Sequence, residues 1–96
     1  MTRVASHPIR RRARVVLSNA QGLHARAAAC LVKIAEAHDA ELWIGCRGNR
    51  ANAKSIMGLL TLGAGAGTTL NAIAQGPEAD KMIAAVRELF AHGFYE

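Results

Sequence analysis

The segment Gly22-Leu23-His24-Ala25-Arg26 sets one histidine at the mouth of an alanine-rich helix, with an arginine two residues on. Imidazole has a reference pKa of about 6.5, so its neutral, nucleophilic form is abundant at neutral pH. The first amides of a helix have no internal acceptor, and the helix dipole is positive there, so this end of a helix favours an anion. Arg26 adds a guanidinium suited to phosphate oxygens. A cation in a first helical turn opposes the dipole, and a placement that breaks a local rule points to function. Together these residues could hold a phosphoryl group on His24. The spacing alone is equally that of an ordinary polar helix terminus.

The surrounding pattern supplies the elements that would position them. Ala13 to Ser18 reads as a first strand, and Asn19 to Gly22 as a turn in which Gly22 tolerates a positive φ. A helix from Ala25 to about His38 puts Ala27, Cys30, Leu31 and Ile34 on one face. Glu41 to Cys46 alternates, with Leu42, Ile44 and Cys46 inward and Trp43 outward. Arg47-Gly48-Asn49 signals a hairpin, and Arg50 to Ala53 a short return strand. Ser55 caps a short helix to about Leu60, and Thr68 to Gln75 forms a fourth strand in which Ile73 disturbs the alternation. Pro77 opens a last helix whose apolar stripe is Ala79, Met82, Ile83, Val86, Leu89 and Phe90, and Gly93 ends it. Helices on one face of such a sheet make a two-layer α+β sandwich.

Ninety-six residues make one domain, and a hydrophobic share of 51% excludes a disordered chain. No apolar run is long enough to span a bilayer and none follows the first arginines as in a secretory signal, so no membrane insertion is expected. The net charge is +5, and Arg3, Arg10, Arg11, Arg12 and Arg14 supply five of the twelve positive side chains. From Val15 onward seven positive residues balance seven negative ones. The sequence therefore divides into a flexible basic extension over 1–12 and a folded domain over 13–96, whose charges balance from Val15 onward. A basic arm without interleaved aromatics implies no specific nucleic acid, though it could touch phosphates non-specifically. Cys30 and Cys46 lack metal-ligand spacing and read as small apolar fillers in a reducing compartment. His7, His38 and His92 show no metal spacing either, so neither metal nor cofactor is implied. Gly63-Ala64-Gly65-Ala66-Gly67 lacks the ending of a phosphate-binding P-loop and reads as a linker.

Gly-Leu-His-x-Arg before a small-residue helix resembles the active-site segment of HPr, the histidine phosphocarrier family of the phosphoenolpyruvate-dependent phosphotransferase system. Ala53-Lys54-Ser55-Ile56-Met57-Gly58-Leu59-Leu60 resembles the same family's regulatory serine segment, at a compatible distance. Gly76-Pro77-Glu78 leading to Leu89-Phe90 and Gly93-Phe94 is similar to its nitrogen-related, NPr-like branch. The resemblance implies an open-faced sandwich with a four-stranded, mainly antiparallel sheet and three helices on one face. It implies a cytoplasmic carrier, not an enzyme with turnover of its own, and one small, nearly neutral domain is expected to be a monomer. His24 would accept a phosphoryl group from enzyme I and pass it to EIIA-type proteins, with Arg26 steadying it. Ser55 would be phosphorylated by an HPr kinase/phosphorylase, a role compatible with its reading as an N-cap. Ile56, Met57 and Leu60, which spacing alone would assign to the core, would form an exposed docking patch, with Lys33 and Lys54 as a basic rim. The family pattern carries proline after the arginine, where this chain has Ala27, which implies a less pre-organised helix start. A regulatory binding module controlled through Ser55, with little transfer at His24, is the other reading these residues allow.

Overall fold

The computed structural model describes residues 9–96. Strands β1 (Arg10–Val16), β2 (Glu41–Cys46), β3 (Asn49–Asn52) and β4 (Thr69–Gln75) form one sheet in the order β1-β4-β2-β3. Every neighbouring pair is antiparallel. Helices α1 (Ala25–Ala37), α2 (Ile56–Thr61) and α3 (Ala79–Ala91) complete the domain, followed by a 3₁₀ turn at Gly93–Tyr95.

Alternation decides which face is covered. Ala13 and Val15 of β1, Leu42, Ile44 and Cys46 of β2, Ala51 of β3, and Leu70, Ala72 and Ala74 of β4 are all buried. They meet Ala27, Ala28, Leu31 and Ala35 of α1, Leu59 of α2, and the predicted stripe of α3, all buried as well. Eleven of the core residues are alanines, so the layers approach closely and the interior is tight. Among the described residues, the opposite face of the sheet carries no helix. Trp43 stands on it as expected, and Ile73 faces the same way, paired across to both Trp43 and Arg12. Its break in the alternation is thus an apolar residue on the open side.

One boundary moves. The first strand begins at Arg10 instead of Ala13, because Arg10, Arg11 and Arg12 pair with Gln75, Ala74 and Ile73 of β4. The Arg10 guanidinium donates to Gln75 Oε1 at 2.8 and 3.1 Å. Arg11 points to the helical side and ion-pairs with Asp80 in the first turn of α3. These three arginines therefore belong to the folded body, whereas Arg3 and His7 lie outside the described residues. The hairpin between β2 and β3 turns on Arg47 (φ 51°) and Gly48 (φ 83°), the paired positive φ of a type I′ turn. Cys46 is buried, Cys30 is partly exposed, and both thiols are free.

Pro77 lies one residue before the N-cap of α3, which is Glu78. The Glu78 carboxylate accepts the Asp39 backbone N–H at 2.7 Å, while its own N–H donates to Asp39 O at 3.0 Å. The Asp39 amide, helped by the Lys81 charge, holds this carboxyl below the usual glutamate value. Such a group adds stability above its unfolded pKa of about 4.3, and that increment is lost as pH falls through the lower folded value. Glu78→Ala is therefore expected to lower the melting temperature at pH 7. The gap from the native chain should narrow below about pH 4, where the native carboxyl also protonates. Thermal melts of both proteins at pH 7 and pH 3 check this.

Candidate functional site

His24 is the N-cap residue of α1, in an extended conformation (φ −87°, ψ −179°). Its carbonyl accepts the first helical bond, from Ala28 N at 2.8 Å. Its ring makes no capping bond, so the N–H groups of Ala25, Arg26 and Ala27 have no acceptor among the described residues. Where the family pattern has proline, Ala27 thus contributes a third open amide. Arg26 is exposed and makes no side-chain hydrogen bond or ion pair among the described residues. Its guanidinium is available to an incoming anion.

The turn before His24 is built by close approach. Gly22 has φ 65°, and a Cβ there would lie 2.6 Å from Ala64 O and 2.7 Å from Gly65 Cα. Leu23 N donates to Ala64 O at 2.9 Å, and Ala64 is buried. Gly67 N and Leu17 O close the other end of the same loop at 2.6 Å. The glycine-rich segment is therefore a clamp on the histidine turn, more than the linker its composition implies. Composition shows its backbone freedom but hides its partner.

Both ring nitrogens of His24 have neighbours. Nδ1 lies 3.1 Å from Gly22 O, and Nε2 lies 3.1 Å from a Glu96 carboxylate oxygen. Glu96 reaches back because Gly93, Phe94 and Tyr95 all adopt positive φ (55°, 61° and 59°). Phe94 anchors that turn, being buried with its ring edge-on to Phe90 at 4.7 Å. Asn19 is buried beneath the site, and its Nδ2 donates to Gly22 O at 2.8 Å and to Glu96 Oε1 at 3.2 Å. Glu96 and Asn19 carry no periodic or motif signal, and only the folded chain joins them to His24. A neutral imidazole carries one ring proton, so it donates to Gly22 O or to Glu96 and not to both. With the proton on Nε2 held by Glu96, the lone pair of Nδ1 is left for chemistry.

Ser55 is the N-cap of α2, its Oγ accepting from Gly58 N at 3.0 Å, a contact worth about 1 kcal/mol to such a helix. Lys54, Ser55, Ile56 and Met57 are consecutive and exposed, with Met57 72% accessible. Leu60 is half-buried and packs against the core. Lys54 approaches Glu41 at 3.9 Å. Lys33 lies apart from this group, lining a groove between α1 and α3 with Glu88 and Tyr95. His38 closes α1, its Nδ1 against Ile34 O at 2.9 Å, and His92 stacks on Tyr95 beyond α3. Among the described residues no group of histidine, cysteine and carboxylate side chains could hold a metal, and no helix is long and apolar enough to cross a membrane.

Comparison with known proteins supplies the family. The family model described as the PTS HPr component phosphorylation site matches residues 11–92. The phosphocarrier protein HPr of Treponema pallidum is 37% identical over 78 residues, spanning 81% of this chain and 89% of that protein. The phosphocarrier protein NPr of Shewanella violacea is 39% identical over 82 residues, spanning 85% and 90%. The crystal structure of HPr-C-His from Thermoanaerobacter tengcongensis superposes with a TM-score of 0.85 at 32% identity, covering 90% of this chain and 97% of that one. The open-faced sandwich, the matched phosphorylation-site model and these relatives agree, and the chain belongs to the HPr family of phosphocarrier proteins of the phosphotransferase system.

Proposed function

We propose that His24 accepts a phosphoryl group from phosphorylated enzyme I and hands it to a histidine of an EIIA-type protein, in the cytoplasm and without turnover of a substrate of its own. The observation that carries this reading is the N-cap position of His24, beside three unpartnered amides and the free guanidinium of Arg26. In the forward step the Nδ1 lone pair attacks phosphorus in line. The bond to the donor nitrogen breaks as the bond to Nδ1 forms, and the donor ring keeps the electron pair. Nδ1 leaves the Gly22 carbonyl during this step, while Nε2–H stays on Glu96 and fixes the ring. The amides and Arg26 neutralise the moving oxygens, so catalysis is positioning and charge. A single guanidinium at an exposed helix start suits a group that must be passed on.

The test is labelling from phosphoenolpyruvate and enzyme I. An acid-labile, base-stable phosphate on His24 supports the reading, and no label with an active cognate enzyme I overturns it. Glu96→Gln keeps a hydrogen-bond acceptor but removes the charge. It is expected to slow phosphoryl acceptance several-fold, about 1 kcal/mol of lost ring positioning, measured as the single-turnover labelling rate.

Ser55 and its neighbours form the proposed docking and regulatory segment. Ile56 and Met57, with half-buried Leu60, present an adaptable apolar patch to successive partners, and Lys54 gives it a positive margin. Lys33, on the α3 side of α1, meets a partner only if its footprint crosses that helix. Phosphate placed on Ser55 by an HPr kinase/phosphorylase would add up to two negative charges beside Lys54 and oppose docking to enzyme I. Ser55→Asp is accordingly expected to accept phosphoryl groups at least about fivefold more slowly, a coupling of about 1 kcal/mol. Acceptance at the native rate would sink the regulatory role.

A further inference from the structure

The open face of the sheet gathers charge that the His24 site does not use. β1 directs Arg10, Arg12 and Arg14 to this face and Arg11 away from it. The strand registers then set side chains in rows: Arg12, Ile73, Trp43 and Asn52 in one, and Arg14, Asn71, Gly45 and Arg50 in the next. The Arg50 guanidinium lies 4.9 Å from the Trp43 ring centroid. Arg87 reaches round the edge from α3, its Nη2 donating to Arg12 O at 3.4 Å. Arg12, Arg14 and Arg87 thereby surround a hollow of about 320 Å³, and a second hollow of about 290 Å³ lies beside Trp43 and Arg50. Arg12, Asn71 and Ile73 line both, so the two make one trough across the sheet. Glu41 is the single acidic side chain on this face among the described residues, and it is engaged with Asn52 and Lys54.

Gly45 sharpens the picture. Its φ is not positive, and a Cβ there would meet neighbours at 3.7–3.8 Å, which is ordinary contact. Glycine weakens a strand interior, and nothing in the fold requires it at this point. Its effect is to leave a notch beside the indole. Arginines with no described acidic partner, amide side chains and an aromatic ring next to a notch, on a sheet face that no described element covers, match the chemistry of a phosphate chain whose bases stack. An acidic protein surface would satisfy the arginines but has no use for the notch.

We propose that this face binds single-stranded nucleic acid without sequence preference, with Arg12, Arg14 and Arg50 on phosphates and a base against Trp43. The proposal is independent of the phosphocarrier reading. Trp43 is the chain's only tryptophan, so its fluorescence reports the site directly. The full chain is titrated with oligouridylate and oligoadenylate of about 12 nucleotides, within the range such platforms span. Saturable quenching by both is expected. With three phosphates neutralised, the salt slope should be about −2, so affinity falls roughly sixteenfold from 50 to 200 mM salt. In the double variant R12Q/R14Q the slope should shrink by about 1.4. Gly45→Val should lower affinity several-fold while its melting temperature holds or rises, a combination that misfolding would not produce. Absence of quenching overturns the proposal. So does native affinity in R12Q/R14Q, which would assign binding to charge elsewhere in the chain, or equal affinity for inorganic polyphosphate.

Discussion

Replacing His24 by alanine is expected to reduce labelling from phosphoenolpyruvate to background while leaving the melting curve almost where it was. The two halves have separate physical causes. The chemistry needs a nitrogen lone pair at the mouth of α1. No other described histidine stands at the start of an α-helix: His38 lies at the C-terminal end of α1 with its Nδ1 against a carbonyl, and His92 lies at the end of α3, before the single 3₁₀ turn Gly93–Tyr95 and stacked on Tyr95. Neither precedes the first turn of an α-helix, where the aligned dipole is positive, so no described histidine substitutes. Stability, in contrast, depends little on this ring. It makes no capping bond to α1, and its contact with Glu96 joins two partly exposed groups, the kind of pair worth about 0–1 kcal/mol. Alanine keeps the backbone bond from Ala28 N to the residue 24 carbonyl. Circular dichroism and a thermal melt beside the labelling assay measure both halves. Residual acid-labile phosphate in the variant would place the acceptor elsewhere, and a collapsed melt would make His24 a structural residue.

The parts of this molecule that are legible in the sequence are those whose cause is local. The α3 stripe from Ala79 to Phe90 is a property of one helix, and it is buried as its spacing predicts. The alternation of β2 likewise places Leu42 and Trp43 on opposite faces. Failures begin where the cause is a partner far along the chain. Arg10, Arg11 and Arg12 show no alternation among themselves, so they read as an arm. Only pairing with β4, some 60 residues away, makes them a strand and sends Arg11 to Asp80 while Arg10 and Arg12 face outward. Glu96 and Asn19 are invisible for the same reason. Their meeting at His24 depends on three successive left-handed residues, two of which are not glycine, held there by the burial of Phe94. The motif Gly-Leu-His-x-Arg marks the acceptor, but the surroundings that orient its ring are tertiary.

Gly22→Ala is expected to be the most destabilising single substitution around the site, and phosphoryl acceptance should fall with it. Two penalties coincide there. Alanine at φ 65° incurs the left-handed penalty of about 1–2 kcal/mol. Its Cβ would also sit 2.6 Å from Ala64 O and 2.9 Å from Gly65 C, which are backbone atoms with no flexible end to swing away. Forcing that space open carries an overpacking penalty of about 1–3 kcal/mol. It also strains the bond from Leu23 N to Ala64 O that fixes the histidine turn. The sum of about 2–5 kcal/mol is a large part of what a domain of this size possesses. At about 4–8 °C per kcal/mol, the melting temperature should drop by at least about 8 °C. Gly63 separates the two causes. It has nearly the same φ, 62°, yet a Cβ there meets nothing within 4 Å. Gly63→Ala should therefore show the backbone penalty alone, about 1–2 kcal/mol, with transfer at His24 largely intact. Paired melts and labelling rates decide the matter. If the two variants lose equal stability, the close approach of the glycine loop is not what positions His24. If Gly22→Ala alone loses both stability and labelling, the loop is a working part of the site.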